Sequence, residues 1–370
     1  MNILVTGARA PISVDYAKCL AQLGHKVYLT DSMRWPVAKF SPWARALIRL
    51  PAPAKNFPQF EAALTALVSS HDIDVVIPTS EEVFWLAQVQ ALGSKLRAPT
   101  FEQLKVLHHK GLFAKLAQKL GAGAPHAFVL HSRREALAFV GHHNSQEYVL
   151  KPCYSRFGHK VKLSPSSSEV LELDFRMPWL AQTRVTGQEV CVYAVAHQGR
   201  VCLLSAYLPK YRIADGASVY FEPIEHPALL RFVANVCKEM NLSGQVSFDV
   251  MLTSQGLVAL ECNPRGTSGV HLMSQYPQAW TNALLHGMPA REGLQFEPRM
   301  LGVAMALYQG AHLLTSQGRA DFRRAKDALA NANIPWYGGL IPTVELMVKA
   351  LVRGMPVLDA STEDFEWNGQ

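Results

Sequence analysis

The chain has 370 residues, 49% of them hydrophobic and 18% charged, which is the composition of a folded globular protein and excludes a disordered or fibrous one. A chain of this length can form two or three domains with buried cores. The 36 lysines and arginines exceed the 29 acidic residues and give a net charge of +7. That charge suits an anionic ligand, but the sequence has no dense basic run of the kind that binds nucleic acid.

The first hundred residues predict a parallel α/β unit, since short apolar runs alternate with stretches of helical potential. The predicted strands are Asn2–Thr6, Lys26–Thr30 and Asp74–Pro78. The turn after the first strand, TGARAP, stands where a dinucleotide-binding fold carries GxGxxG, and Asp31 stands about where such a fold has its ribose-binding acid. Two of the three glycines are missing, and Arg9 and Pro11 oppose close approach of a pyrophosphate. We therefore expect a Rossmann-like unit without a nicotinamide and keep a nicotinamide site as the alternative.

Three features predict a cytoplasmic protein. The run MNILVTG lacks the basic region and long apolar core of a signal peptide. The six cysteines have no CxxC spacing and stand mostly in apolar company, as reduced thiols do. The longest apolar stretch, Met300–Leu314, contains Gln309 and His312 and is too short to span a bilayer, so we expect a buried helix there.

The rest of the chain predicts a mixed α/β region followed by helices. A leucine pattern predicts one helix from Thr100 to Leu120, ended by Gly121. Strands are expected at Glu147–Lys151, Trp179–Thr183, Glu189–His197 and Arg200–Tyr207. Helices are expected at His226–Met240, Arg319–Asn333 and Val344–Val352.

Two apolar runs, Gly244–Leu252 and Leu257–Asn263, predict a β-hairpin around a four-residue polar turn. Folding them together sets Asp249 opposite Glu261, and two carboxylates about 4.5 Å apart repel by about 4 kcal/mol at an effective dielectric of about 20. Asn263 projects from the same face as Glu261. Two carboxylates and an amide oxygen suit Mg²⁺ bound to a nucleoside triphosphate. A slipped register, or a basic residue beside one acid, is the alternative explanation.

Two lysines and a glutamate have positions suited to a nucleotide. Lys151 ends the strand EYVLKP, so its ammonium could meet a phosphate that the backbone N–H groups of Ser155–Gly158 approach. Lys110 stands in the helical run HHKGLFAKLAQKLG. Glu189 begins a strand just after Gly187, where it could accept the two hydroxyls of a ribose. Each residue taken alone is explained as simply by a solvated surface charge.

Taken together and in this order, these motifs resemble the ATP-grasp superfamily over roughly Thr100–Leu285. The TGARAP turn and the segment VIPTSEE (Val76–Glu82) look like the preceding domain of its carbamoyl-phosphate-synthase-like members. The resemblance implies an α/β and α+β fold in three parts. These are a Rossmann-like pre-ATP-grasp domain at 1–100, an ATP-grasp domain at 101–295 with a lid subdomain at about 122–180, and a mostly helical extension at 296–370.

The same resemblance implies ATP and Mg²⁺ or Mn²⁺ as cofactors. Lys110 and Lys151 match the two lysines that contact ATP phosphates. Arg265, in ECNPRG, matches the arginine that neutralises the transferred phosphoryl group, so Lys151 and Arg265 are the expected catalytic residues. The turn that covers the phosphates corresponds to Ser155 and Gly158. The hinge strand that reads adenine corresponds to Gln182 and Val185, and the ribose position corresponds to Glu189. The metal-holding acids and amide correspond to Asp249, Glu261 and Asn263.

The family's chemistry implies a ligase. A substrate carboxylate would attack the γ-phosphate to give an acyl phosphate, which an amine or a thiol would then attack, with release of ADP and phosphate. The expected partners are small-molecule substrates, without nucleic acid or membrane, and a homodimer stays open. The substrate pockets are predicted at Glu81, Lys210, Arg212, Thr267 and Ser268. Two alternatives stay open: a nicotinamide-dependent oxidoreductase, and an ATP-binding module without catalysis.

Overall fold

The computed structural model describes residues 1–154, 161–213, 216–290 and 293–369. Its first part is a parallel sheet of four strands, β1 (Asn2–Thr6), β2 (Lys26–Asp31), β3 (Ala46–Arg49) and β4 (Val75–Ile77), in the order β3-β2-β1-β4. Helices α1 (Ile12–Gln22), α2 (Phe57–Ser70) and α3 (Val83–Leu86) accompany it. Successive residues of β1 and β4 enter two separate apolar cores, because helices cover both faces of the sheet. The Rossmann-like unit is confirmed, with β3 as a strand that the pattern did not indicate.

The single helix predicted from Thr100 to Leu120 is wrong, because this stretch forms two helices, α4 (Phe101–His108) and α5 (Lys110–Lys119). His109 has an extended backbone, and its Nδ1 accepts the N–H groups of Gly111 and Leu112 at 3.1 and 3.2 Å. These bonds satisfy donors that the first turn of a helix leaves without partners. Lys110 is therefore the first residue of a new helix.

A small antiparallel sheet follows. Its strands are β5 (Ala127–Leu130), β6 (Tyr148–Pro152), β7 (Lys162–Leu163) and β8 (Trp179–Thr183), in the order β5-β8-β6-β7. Helices α6 (Arg133–His142) and α7 (Ser167–Leu171) pack on one face, where Leu150 and Ala181 enter their core. Lys151 projects from the opposite face of β6, as the alternation of a strand requires.

The largest sheet has seven strands, β9 (Gln188–His197), β10 (Arg200–Pro209), β11 (Tyr220–Pro223), β12 (Gly244–Thr253), β13 (Gly256–Asn263), β14 (Arg299–Met300) and β15 (Lys326–Asp327). Their order is β13-β12-β9-β10-β11-β14-β15. Helix α8 (Pro227–Glu239) packs on one face against the core that contains Val192, Phe248 and Cys262. Helices α9 (Val270–Met273) and α10 (Pro277–His286) follow the β12–β13 hairpin.

The remaining residues form helices and the last two strands of the seven-stranded sheet, β14 and β15. The helices are α11 (Gly302–Tyr308), α12 (Gly310–Leu313), α13 (Ser316–Arg324), α14 (Ala328–Asn331), α15 (Tyr337–Arg353) and α16 (Val357–Thr362). The buried helix predicted at Met300–Leu314 is wrong: Met300 belongs to β14, two short helices follow, and Leu314 is 80% exposed. The helix predicted at Arg319–Asn333 is interrupted by β15. Within the described ranges, no helix has the length and apolar character needed to cross a bilayer.

Candidate nucleotide and metal site

The β12–β13 hairpin sets Asp249 directly opposite Glu261, so the predicted pairing is confirmed. The turn is shorter than expected, since the ladder continues to Thr253 and Gly256. Between Val250 and Asp249 the register shifts by one residue, and Leu260 has no partner in the ladder. This β-bulge returns Glu261 to the face that carries Asp249 and leaves Cys262 in the core on the other face.

Asn263 lies two residues beyond Glu261 on the same face and completes the group of oxygen-bearing side chains. Its Nδ2 donates to Asp249 Oδ2 at 3.1 Å, and its Oδ1 accepts from Arg265 Nη2 at 3.3 Å. Arg265 also reaches the Rossmann-like unit, where its Nη2 lies 3.6 Å from Glu81 Oε1. The arginine thus links the hairpin to the loop after β4.

The two lysines meet these acids from separate elements. Lys110 begins α5 and its Nζ lies 3.2 Å from Glu261 Oε2, while its backbone N–H donates to the carbonyl of Cys153 at 3.2 Å. Lys110 and Lys151 are only 3% and 7% exposed, so both cations are withheld from water. Such burial is costly for a lysine unless an anion lies close by.

The charges perturb one another strongly. Burial, opposed by the charge of Glu261 and aided by that of Lys110, lowers the pKa of Lys151 to about 8. Burial would raise the pKa of Glu261, but Lys110 and Lys151 outweigh it and hold that pKa below its usual range. Burial and the charge of Glu261 together raise the pKa of Asp249. The two acids therefore divide into one firmly ionised carboxylate and one that gains a proton easily.

The sheet face around the acids carries polar side chains that the sequence reasoning missed. Cys191 and Tyr207 occupy the ladder positions beside Asp249 on β9 and β10, so the three residues stand in one row across the sheet. One ladder step away, Ser247 lies opposite Asn263, accepts from Thr267 at 3.0 Å and donates to the Arg265 carbonyl at 2.9 Å. Alternation in GQVSFDV places Ser247 on the same face as Asp249, and this pattern could have identified Ser247 as a site residue from the sequence.

The residues expected at the base and the ribose lie on β8 and after it. Gln182 is buried on the face of β8 that also carries the cross-strand pair of Lys151 and Leu180. Its Nε2 donates to no group in the described part of the chain. Val185 follows the end of β8 and is half-buried. Glu189 is the second residue of β9, and its Oε1 lies 2.6 Å from Arg212 Nη2. Burial would lower the pKa of Arg212, but the contact with Glu189 outweighs burial and raises it.

The structure does not bring every predicted residue to the acids. Lys210 points to α13, where its Nζ lies 2.7 Å from Asp321 Oδ2. It lines a separate surface cavity of about 450 Å³ together with Glu222 and Arg324. Ser155 and Gly158 lie outside the described residues. The roles assigned to all these side chains stay predictions.

The crevice of the Rossmann-like unit is filled by protein groups. Asp31 accepts Arg9 Nη2 at 2.5 Å and the backbone N–H groups of Arg9 and Met33 at 2.8 Å each. Arg9 also binds Asp364, 3.1 Å away. The carboxylate that a nicotinamide ribose would need is therefore already engaged.

Comparison with known proteins identifies the domain that carries the acids. Residues 112–269 match the model of the ATP-grasp domain family. No curated protein matches the chain. N5-carboxyaminoimidazole synthetase from Staphylococcus aureus, solved with ADP, is similar with a TM-score of 0.64 and 15% identity over 84% of this chain and 85% of that one. Phosphoribosylamine–glycine ligase from Thermotoga maritima is similar with a TM-score of 0.62 and 17% identity over 81% of this chain and 80% of that one.

A third similar structure is the L-amino acid ligase from Bacillus licheniformis, with a TM-score of 0.59 and 15% identity over 77% of this chain and 74% of that one. At these identities the similarity shows the fold alone. The matched residues include Lys151 and the whole β12–β13 hairpin, and Lys110 lies two positions before them. Residues 112–269 therefore form an ATP-grasp domain.

Proposed function

We propose that this protein is an ATP-dependent ligase that joins a small carboxylic acid to an amine, with ATP held between the small sheet and the seven-stranded sheet. One observation carries the proposal: Asp249 lies opposite Glu261, and Glu261 Oε2 lies 3.2 Å from the buried Lys110 ammonium. Two acids and two buried lysines on facing elements form a site that would bind a metal-bound polyphosphate.

The oxygen set fits Mg²⁺. Within the described ranges there is no cluster of three or more His, Cys, Asp or Glu side chains of metal-binding geometry. Mg²⁺ needs fewer, since it keeps several waters and takes one or two carboxylates with substrate phosphates. Asp249, Glu261 and the Oδ1 of Asn263 would hold it, and Mn²⁺ takes the same ligands. When bound, the ion would neutralise phosphate charge during transfer.

The nucleotide also has residues that suit it. The free Nε2 of Gln182 supplies a buried donor beside the expected position of the base, which explains an unsatisfied amide. Val185 would cover the base and Glu189 would accept from the ribose, with Arg212 fixing its carboxylate. Lys110 and Lys151 would neutralise phosphate oxygens, a role that requires both to be protonated.

The chemistry on the substrate side would depend on Arg265. Its guanidinium lies between Asn263 and Glu81, so it can neutralise charge on the phosphoryl group while Glu81 fixes its direction. The substrate carboxylate would attack the γ-phosphate and release ADP, and the amine would then displace phosphate from the resulting acyl phosphate, with loss of a proton, to form the C–N bond. Thr267 and Ser268 would hold the acid beside the metal.

The similar structures support a ligase, since two of the three are named as ligases and the third is a synthetase solved with ADP. They do not share one substrate, so the acid and the amine are left open, as is a thiol in place of the amine. We further propose that the domains are divided at residues 100 and 295 and that the lid subdomain spans about 122–180. We also propose that the protein is cytoplasmic and forms a homodimer.

The test is ADP release by the purified protein over a matrix of amino acids and small carboxylates. We expect release that needs Mg²⁺ and one acid–amine pair. Glu261→Ala or Asn263→Ala should reduce turnover by orders of magnitude with the fold intact. Glu102→Gln is the matched control, because that carboxylate is 79% exposed on α4. ATP binding without ADP release for any pair would favour a non-catalytic module, and full activity of Glu261→Ala would refute the proposed site.

A further inference from the structure

Residues 361–369, here called the closing segment, run across the carboxyl edge of the four-stranded parallel sheet. Arg9 Nη1 donates to the Ser361 carbonyl at 2.9 Å, and the Trp85 indole donates to the Phe365 carbonyl at 2.8 Å. Ligands of open α/β sheets bind at this edge. In this protein the closing segment occupies it and leaves a cavity of only about 30 Å³ beneath Phe365.

Asp364 anchors the closing segment. Its carboxylate accepts from Ser32 Oγ at 2.8 Å and Lys349 Nζ at 3.0 Å and meets Arg9 at 3.1 Å, while its carbonyl accepts from the Ala54 N–H at 3.0 Å. These cations hold the pKa of Asp364 well below its usual range, despite burial. A carboxylate with this many charged partners fixes the backbone around it.

Beyond the anchor, Trp367 packs among aromatic side chains. It is 3% exposed. Its ring stacks on that of Phe84, with the ring centroids 4.9 Å apart and an angle of 8° between the planes. It makes edge contacts with Phe101 and Tyr154, at centroid distances of 5.6 and 5.4 Å. The Tyr154 ring in turn packs on His109 at 5.1 Å. Trp367 therefore joins the Rossmann-like unit to the end of the small sheet.

Tyr154 lies where the two lysine-bearing elements touch. It follows Cys153, whose carbonyl accepts the backbone N–H of Lys110, and it lies three residues beyond Lys151. His109 caps the helix that Lys110 begins. A shift of Tyr154 would consequently move both lysines relative to the hairpin acids.

We propose that Trp367 is a positioning residue: through Tyr154 it sets the separation of Lys110 and Lys151 from Glu261 and thereby the affinity for the phosphates of ATP. The inference rests on the proposed function, because it presupposes that these lysines bind phosphates. The closing segment would thus affect nucleotide binding, although none of the residues of the closing segment is proposed to contact the nucleotide.

The experiment compares the binding of AMP and of Mg²⁺ with AMP-PNP to the full chain by calorimetry, in wild type and in Trp367→Ala, Trp367→Leu and Trp367→Phe. The alanine and leucine variants should bind AMP-PNP at least about tenfold more weakly and AMP as wild type does, because misplacing groups by about 1 Å has effects of this order or larger. Phenylalanine, which keeps an aromatic ring against Tyr154, should recover most of the affinity. Trp336→Ala is the matched control, since Trp336 is 71% exposed.

The leucine variant keeps most of the buried volume and serves the test if the alanine variant does not fold. Equal losses for AMP and AMP-PNP would overturn the inference, because they would show a general structural effect. Wild-type affinity for AMP-PNP in the leucine variant would overturn it as well. If wild-type protein binds no nucleotide, the proposed function itself fails, which is a separate outcome from either of these.

Discussion

Asp249 lies directly opposite Glu261 only because Leu260 is bulged out of the ladder. Continuing the register of the turn would set Leu260 opposite Asp249 and place Glu261 on the core face. The bulge thus brings two like charges together where apolar packing would be cheaper, and bulges of this kind occur next to active sites. The pair is costly to the fold and is explained if it serves a ligand.

Asp249→Asn should therefore stabilise the protein while removing its activity. Like charges directly opposite each other in a sheet are destabilising, so we expect the free energy of unfolding to rise by about 0.5–1 kcal/mol at pH 8 without metal. The measurement is urea denaturation followed by circular dichroism, with Glu102→Gln as the control. A clear loss of stability in Asp249→Asn would show that the pair is a structural contact and not a strained ligand site.

The affinity for nucleotide should depend on pH through Lys151. Its pKa of about 8 lies below the ordinary 10.5, so the ammonium is lost early and affinity for Mg²⁺ with AMP-PNP should fall by about tenfold per pH unit above 8. Between about 8 and 10.5 the unfolded chain holds more protons than the folded one, so the contribution of Lys151 to stability should rise with pH over that window. Lys151→Arg keeps its charge, so its affinity for Mg²⁺ with AMP-PNP should not fall above pH 8. A fall in affinity that persists in the arginine variant would show that another group causes it.

Arg9 should contribute strongly to the stability of the Rossmann-like unit. It is buried between Asp31 and Asp364, so Arg9→Ala removes the cation paired with Asp31 and one of the cations around Asp364, and it should cost about 3–5 kcal/mol of unfolding free energy. The control is Arg176→Ala, whose side chain is 88% exposed beside Asp174 and should leave stability unchanged. Similar denaturation midpoints for both variants would contradict this view of the crevice.

Thr267→Val should affect substrate binding without affecting ATP. The change removes the hydroxyl that donates to Ser247, so we expect the KM of the carboxylate substrate to rise by about tenfold, the value of one hydrogen bond, at an unchanged KM for ATP. Thr343→Val on α15 removes a similar hydroxyl bond far along the chain and serves as the control. Unchanged constants for every substrate would remove Thr267 from the pocket, and Arg212→Ala tests Arg212 in the same assay.

The local patterns were sufficient to predict the hairpin and the parallel unit. Alternation in GQVSFDV and the apolar runs of β1, β2 and β4 express burial, which a sequence shows directly. The break at His109 was missed because the apolar periodicity continues through it, while the new helix depends on the His109 side chain accepting the N–H groups of Gly111 and Leu112. The bulge at Leu260 was missed because an extra residue in one strand leaves no mark in its composition.

Relationships between distant parts of the chain could not be predicted. Trp367 meets Phe84 and Tyr154, and Asp364 meets Arg9, across separations of more than 200 residues. Nothing local distinguishes these residues from others in a helical extension. The row of Asp249, Cys191 and Tyr207 across the sheet likewise depends on strand order, which sequence periodicity does not specify.

The most direct test of the site is a crystal structure of the protein with Mg²⁺ and AMP-PNP. We expect one ion about 2.0–2.1 Å from an oxygen of Glu261 and from Asp249 or Asn263, with the γ-phosphate near Lys110 and Lys151. A nucleotide bound elsewhere, or bound here with no ion between the hairpin acids and its phosphates, would contradict the proposal.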